Sequence, residues 1–70
     1  MFRGIELVAL REQRGLSQDA VSKRAGISRS ALSKLESGRS VPTIETLLKL
    51  ANSMELPLAK FLYRVGLLRK

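Results

Sequence analysis

Basic side chains are the residues of this sequence whose types and spacing point to chemistry. Five of them fall between residues 23 and 39, a span that holds a single acid, Glu36; they are Lys23, Arg24, Arg29, Lys34 and Arg39. Guanidinium and ammonium groups donate hydrogen bonds to phosphate, and the arginine fork also fits the two acceptors on a guanine edge. The cluster therefore favours a polyanionic partner, chiefly nucleic acid.

The composition of the whole chain points the same way. Its 70 residues include 13 Lys and Arg against 6 Asp and Glu, a formal net charge of +7. A second run without acids holds Lys60, Arg64, Arg69 and Lys70. There is no cysteine and no histidine, which removes thiolate and imidazole metal ligands and the commonest general base. We therefore expect no enzyme activity, no cofactor or metal ion, and no small-molecule ligand.

Nothing in the sequence predicts a membrane or secreted protein. No apolar run approaches the roughly 20 residues that cross a bilayer. The first ten residues, MFRGIELVAL, are interrupted by Glu6 too early for a signal peptide. A chain of this length allows one small domain. We expect a single domain over residues 1–70, in the cytoplasm and without a membrane partner.

The elements that must position the basic residues are helices, because apolar residues recur at steps of three and four along the chain. Helices are predicted over about residues 5–14, 18–25, 29–36 and 44–54, with a fifth that begins at Pro57 and stops at Gly66. Ser17, Ser28 and Thr43 each stand where a hydroxyl would cap the following helix. The fold class is all-α, a compact bundle of five short helices.

The predicted buried faces are small. They comprise Leu7 and Leu10, Val21 and Ala25, Leu32 and Leu35, and, on the fourth helix, Ile44, Leu47, Leu48 and Ala51. Helices of about eight residues do not form alone in water, so packing against this core must hold them. The second and third helices are joined by a short turn with Gly26 and the apolar Ile27. A joint of this kind is typical of a helix-turn-helix unit, here residues 17–36.

The run from Leu10 to Ala51 resembles the phage-repressor helix-turn-helix family, also called the Cro/CI-type or XRE family. Several short matches occur in register, and the resemblance extends over about residues 5–64. The matches are Leu10-Arg11, Gly15-Leu16-Ser17-Gln18, Gly26-Ile27-Ser28, Leu35-Glu36-Ser37-Gly38-Arg39, and Pro42-Thr43 followed by Leu47, Leu50 and Ala51. The resemblance implies a λ-repressor-like domain that binds double-stranded DNA with the third helix in the major groove.

The resemblance also implies roles for individual residues. Base readout is expected from the exposed face of the third helix, at Arg29, Ser30, Ser33 and Lys34. Arg29 is suited to a guanine, and Lys34 to a further base or a phosphate. Phosphate contacts are expected from Ser17, Gln18, Ser28 and Arg39. Arg11 and Glu36 match a pair that forms a structural salt bridge between the first and third helices in this family.

Three positions depart from the family pattern. Ser22 replaces a buried alanine, and its hydroxyl would need a partner such as the carbonyl four residues back. Glu55 stands where a glycine usually follows the fourth helix, and Pro57 replaces a serine cap. The fold tolerates the changes at Glu55 and Pro57, and the path of residues 54–58 is the part left open.

The last segment, residues 57–70, carries more apolar residues than a short helix needs for its own core. We expect part of it to form a homodimer interface on a palindromic operator, from Phe61, Leu62, Val65, Leu67 and Leu68. The alternative is a tail folded back on its own domain.

The sequence thus predicts a transcriptional regulator, most simply a repressor or operon controller. A phage or plasmid repressor, a restriction–modification controller and an antitoxin all fit. The alternative function is protein–protein binding, as an antitoxin or adaptor.

Overall fold

The computed structural model describes residues 1–69, and within them the chain forms five α-helices joined by short loops. They are α1 (Gly4–Gln13), α2 (Gln18–Ala25), α3 (Arg29–Glu36), α4 (Ile44–Ser53) and α5 (Leu58–Arg64). The second and third helices have the predicted bounds, and the others differ from them by one or two residues. The all-α prediction is confirmed.

Side-chain hydroxyls begin three of these helices. Ser17 Oγ accepts the amide of Ala20 at 3.1 Å, and Ser28 Oγ accepts that of Ala31 at 3.0 Å. Thr43 Oγ1 starts α4 in the same way, at 3.1 Å from the amide of Thr46. Each cap satisfies a donor that the first turn of a helix leaves free, so the sequence fixes where α2, α3 and α4 begin.

One apolar core holds the five helices together. Its fully buried members include Leu7, Val21, Leu32, Leu50 and Phe61, so every helix contributes at least one side chain. Since helices of seven to ten residues are marginal in water, this shared core is what stabilises them.

The predicted inward face of α4 is partly wrong. Leu47 and Ala51 are buried as expected, but Ile44 is 69% exposed and Leu48 is 46% exposed. Packing against α2 and α5 covers a narrow stripe of α4, and positions 47, 50, 51 and 54 fill it. Ile44 and Leu48 lie to one side of that stripe, and apolar character alone did not reveal this.

Helix α1 approaches the end of α3 very closely at Gly4. A Cβ at this position would overlap the carbonyl oxygen of Leu35 and lie 2.6 Å from that of Glu36. Both are backbone atoms, so neither can swing aside. Only glycine allows this packing, which brings the start of α1 against the carboxyl end of α3.

The three departures from the family pattern are accommodated locally. Ser22 Oγ donates to the carbonyl of Asp19 at 3.1 Å, three residues back rather than four. Glu55 takes a left-handed conformation, with φ of 56°, at the position where the family usually has glycine. Pro57 is the residue before α5, which begins at Leu58, one position later than predicted.

Candidate nucleic-acid interface

The exposed face of α3 carries the four predicted base-reading side chains. Arg29, Ser30, Ser33 and Lys34 are all exposed, whereas Leu32 and Leu35 on the opposite face are buried. Positions 29, 30, 33 and 34 follow the three- and four-residue spacing that places side chains on one side of a helix. The structure therefore brings these four together on one surface and keeps them out of the core.

The two capping serines lie at the amino ends of α2 and α3. Each is exposed, and each hydroxyl oxygen accepts a backbone amide, as described above. An accepting hydroxyl still has its own hydrogen to donate. Ser17 and Ser28 thus each keep a hydroxyl hydrogen that can be donated to a phosphate oxygen. Both lie at helix ends that favour anions.

The predicted ion pair between α1 and α3 is present. Arg11 Nε donates to Glu36 Oε2 at 2.7 Å, and a second guanidinium nitrogen donates to Glu36 Oε1 at 3.3 Å. A third bond, at 2.9 Å, runs from Arg11 to the carbonyl of Leu16. The side chains of Arg11 and Glu36 are only 13% and 6% exposed, so the pair is a structural joint rather than a free binding group.

The ion pair continues into a chain of polar contacts that ends at Arg29, on the exposed face of α3. Gln18 Nε2 donates to Glu36 Oε1 at 2.8 Å, which turns the amide oxygen of Gln18 the other way. That oxygen accepts Arg29 Nε at 3.4 Å. Arg29 also pairs with Asp19, at 3.4 Å between a terminal guanidinium nitrogen and the carboxylate. Gln18, a predicted phosphate contact, is therefore also bonded to a predicted base reader.

The contact between Asp19 and Arg29 was missed from the sequence. Asp19 lies in the first turn of α2, where a carboxylate also suits the helix dipole. The two residues are ten positions apart, and the angle at which α2 and α3 cross brings them together. The only signal in the sequence was an acid and a base placed at the starts of two consecutive helices.

Two members of the basic run between residues 23 and 39, Arg24 and Arg39, contact different elements. Arg39 is exposed in the loop after α3, where its amide is bonded to the carbonyl of Lys34 at 2.9 Å. Arg24 instead points to the end of α4, where it donates to the carbonyl of Ser53 at 3.4 Å. Arg39 thus stays beside α3, while the side chain of Arg24 reaches the end of α4.

The predicted dimer segment divides into buried and exposed residues. Phe61 and Val65 have no exposed surface and belong to the core, so they are withdrawn as interface residues. Leu62 is half-buried, and Leu67 and Leu68 are 39% and 43% exposed. The amides of Leu67 and Leu68 both donate to the carbonyl of Leu62, which turns the tail after α5. Lys70, the last residue of the predicted segment and of the second basic run, lies outside the described residues.

None of the helices formed by residues 1–69 has the length and apolar character needed to cross a lipid bilayer.

Known proteins with similar sequences and structures fit this geometry. Residues 7–61 match the model of a helix-turn-helix family. The HTH-type transcriptional repressor RghR of Bacillus subtilis is 36% identical over 64 residues, which cover 90% of this chain and 47% of RghR. The chain therefore spans about half the length of this relative.

Two solved structures illustrate the structural likeness. The restriction-modification controller protein C.AhdI from Aeromonas hydrophila is 29% identical, with a TM-score of 0.79 over 83% of this chain and 88% of that protein. The P22 c2 repressor, solved in complex with a synthetic operator, is 26% identical. Its TM-score is 0.77 over 91% of this chain and 97% of the repressor chain.

Proposed function

Because the chain belongs to the Cro/CI-type (XRE) helix-turn-helix family, we propose that it is a sequence-specific DNA-binding regulator of transcription. The observation that carries the proposal is the exposed face of α3, where four polar and basic side chains project from a helix whose opposite face is buried. A helix presented in this way has the width and the donors to enter a major groove. The matched proteins are regulators of transcription rather than enzymes.

In this proposal α3 lies in the major groove and α2 lies across the DNA backbone. Arg29 donates to a guanine, and Ser30, Ser33 and Lys34 contact neighbouring base edges or the adjoining phosphate. Ser17, Ser28, Gln18 and Arg39 bind phosphates on either side of the groove. Phosphate contacts fix the register, and the α3 side chains select the sequence.

We further propose a homodimer on a palindromic operator, acting most simply as a repressor or operon controller in the cytoplasm. One recognition helix contacts too few base pairs for a selective site. A two-fold dimer reads two half-sites about 34 Å apart, one turn of DNA. Of the predicted interface residues, Leu67, Leu68 and the half-buried Leu62 are the ones whose side chains remain available for such an interface.

The proposal is tested by binding to the DNA upstream of the chain's own reading frame, titrated against salt. We expect a specific complex whose affinity falls steeply and linearly on a double-logarithmic plot, because each neutralised phosphate releases a counterion. DNA of the same length and shuffled sequence serves as the control. Absent or salt-insensitive binding would contradict the proposal and favour protein–protein binding, as an antitoxin or adaptor.

A further inference from the structure

The carboxylate of Asp19, on α2, lies beside the exposed face of α3. An acid on a surface that meets phosphates repels DNA, and the side chain of Asp19 is 64% exposed. It pairs with Arg29, the side chain best suited to a guanine. The contact engages one terminal nitrogen of the guanidinium group.

The contacts of Arg29 divide its five N–H groups into two sets. Its Nε hydrogen points to Gln18 Oε1, and one hydrogen of a terminal nitrogen points to Asp19 Oδ1, both at 3.4 Å. Three N–H groups remain, one on that terminal nitrogen and two on the other. Both terminal nitrogens therefore keep at least one hydrogen that can be donated to a base.

The two acceptors, Gln18 Oε1 and Asp19 Oδ1, are themselves held in place by other parts of the domain. Glu36 accepts Gln18 Nε2 at 2.8 Å and therefore fixes which way the amide of Gln18 faces. Glu36 is in turn held by Arg11 in the nearly buried ion pair. The backbone of Asp19 is fixed by its place in the first turn of α2, two residues after the N-cap residue Ser17. The orientation of an exposed arginine is thus coupled to buried structure.

We propose that Asp19 is a positioning residue that restricts Arg29 to guanine. With Nε held by Gln18 and one terminal hydrogen held by Asp19, the arginine has free donors only on its two terminal nitrogens, and this fork matches the O6 and N7 acceptors of guanine. Adenine offers N7 and a donor at N6, so the same fork meets one acceptor and one hydrogen. An arginine free to rotate instead reaches phosphates or other bases with little selectivity. Asp19 costs general affinity through its charge and increases discrimination.

This inference rests on the proposed function and predicts an unusual pair of effects for Asp19→Asn. Exposed pairs are weak, so we expect the preference for guanine over adenine at the Arg29 position to fall about two- to five-fold. Affinity for DNA of unrelated sequence should stay equal or rise, because a negative charge has been removed. Asp19→Glu keeps the charge and should retain more of the preference than Asp19→Asn.

The experiment begins with selection of sites from a randomised double-stranded DNA library by the unmodified chain and by Arg29→Ala. The position whose preference depends on Arg29 is then synthesised with each of the four bases, and affinities are measured for every variant.

Glu12→Gln is the matched control. Glu12 is an exposed acid of α1 that forms no ion pair with another of residues 1–69. The Glu12→Gln variant should change the affinity for DNA without changing the base preference. Thermal unfolding of each variant ensures that binding is compared between folded proteins.

Double substitution separates positioning from general electrostatics. In an Arg29→Ala background, Asp19→Asn should no longer alter the base preference, because the group that it orients is gone. The inference is overturned if Asp19→Asn leaves the preference unchanged, if it changes the preference equally without Arg29, or if the Arg29-dependent position prefers a base other than guanine. If the unmodified chain selects no sequence at all, the proposed function itself fails.

Discussion

Arg29 and Arg39 carry the same charge in different surroundings, and we expect this difference to give two kinds of DNA contact. Arg29 projects from α3 and is oriented by two side chains of α2. Arg39 stands in the loop beyond the helix, where only its backbone is bonded to α3. An oriented fork is suited to a base edge, and a loosely held one to a phosphate.

Substitution of each arginine should therefore give a different result. Arg29→Ala should cost about 1–3 kcal/mol on the preferred operator and relax the preference at one base position. Arg39→Ala should weaken binding to all sequences alike and reduce the salt slope by about one. Affinities on the operator and on its single-base variants, measured at several salt concentrations, check both results.

Arg24→Ala is the control for these two substitutions, since it removes the same charge from a side chain bonded to α4. It should change operator affinity less than either of the others. Equal behaviour of Arg29→Ala and Arg39→Ala would contradict the division between base reader and phosphate contact.

Glu36 is predicted to matter for stability far more than its charge alone suggests. Glu36→Ala leaves the guanidinium of Arg11 nearly buried without its partner, which should lower the free energy of unfolding by about 3 kcal/mol. Urea denaturation measures the loss. Glu45→Ala is the comparison, because Glu45 is 79% exposed in its pair with Lys49 and should cost less than about 1 kcal/mol. Equal losses would mean that burial of the Arg11–Glu36 pair contributes little.

Individual contacts were predictable from the sequence to different degrees. The Arg11–Glu36 pair followed from matched family positions, and a lone acid within a basic stretch needs a partner. The contacts of Asp19 and Gln18 with Arg29 did not follow, because they depend on the crossing of α2 and α3 and on the rotamers of exposed side chains.

At the scale of the elements, the packing of α1 against α3 depends on one missing side chain. Gly4→Ala would place a Cβ against the carbonyl oxygens of Leu35 and Glu36, so α1 would have to shift. We expect a loss of about 1–3 kcal/mol in the free energy of unfolding, the usual cost of overpacking. Thermal or urea unfolding measures it.

Ile5→Ala provides the comparison for Gly4→Ala within the same turn of α1. Ile5 is 69% exposed, so its truncation should change stability by less than about 0.5 kcal/mol. A Gly4→Ala variant as stable as Ile5→Ala would show that α1 and α3 separate without cost.

Helix positions were more predictable than helix faces. Ser17, Ser28 and Thr43 announce helix starts through local chemistry, and all three caps formed. Which face of α4 is buried depends on the helices that cover it. In the sequence of α4, Ile44 and Leu48 cannot be distinguished from the buried Leu47 by apolar character. The close contact of Gly4 with Leu35 and Glu36 likewise joins distant parts of the sequence, and no local pattern predicts it.

At the scale of the whole molecule, the proposed homodimer depends on the exposed Leu67 and Leu68. The double variant Leu67→Glu/Leu68→Glu should sediment as a monomer at micromolar concentration, where the unmodified chain should sediment as a dimer. Its unfolding should change little, since both leucines are substantially exposed. Sedimentation velocity, with and without operator DNA, measures the mass.

Leu48→Glu is the matched control for the tail, because Leu48 is a comparably exposed leucine on α4. It should leave the dimer intact. A dimer that is lost in Leu48→Glu and retained in the tail variant would place the interface on α4. An unmodified chain that stays monomeric with and without DNA would exclude the dimer.

The separation of α3 into a buried face and an exposed face also bears on how such a protein can change over generations. Arg29, Ser30, Ser33 and Lys34 are exposed, while Leu32 and Leu35 supply the helix's buried apolar contacts. Substitutions at the four exposed positions are therefore expected to cost little stability, as is usual for surface residues. After a gene duplication, two copies could acquire different operators while keeping one shared core. Asp19 adds a constraint to that freedom, because a new residue at position 29 would have to suit the carboxylate beside it.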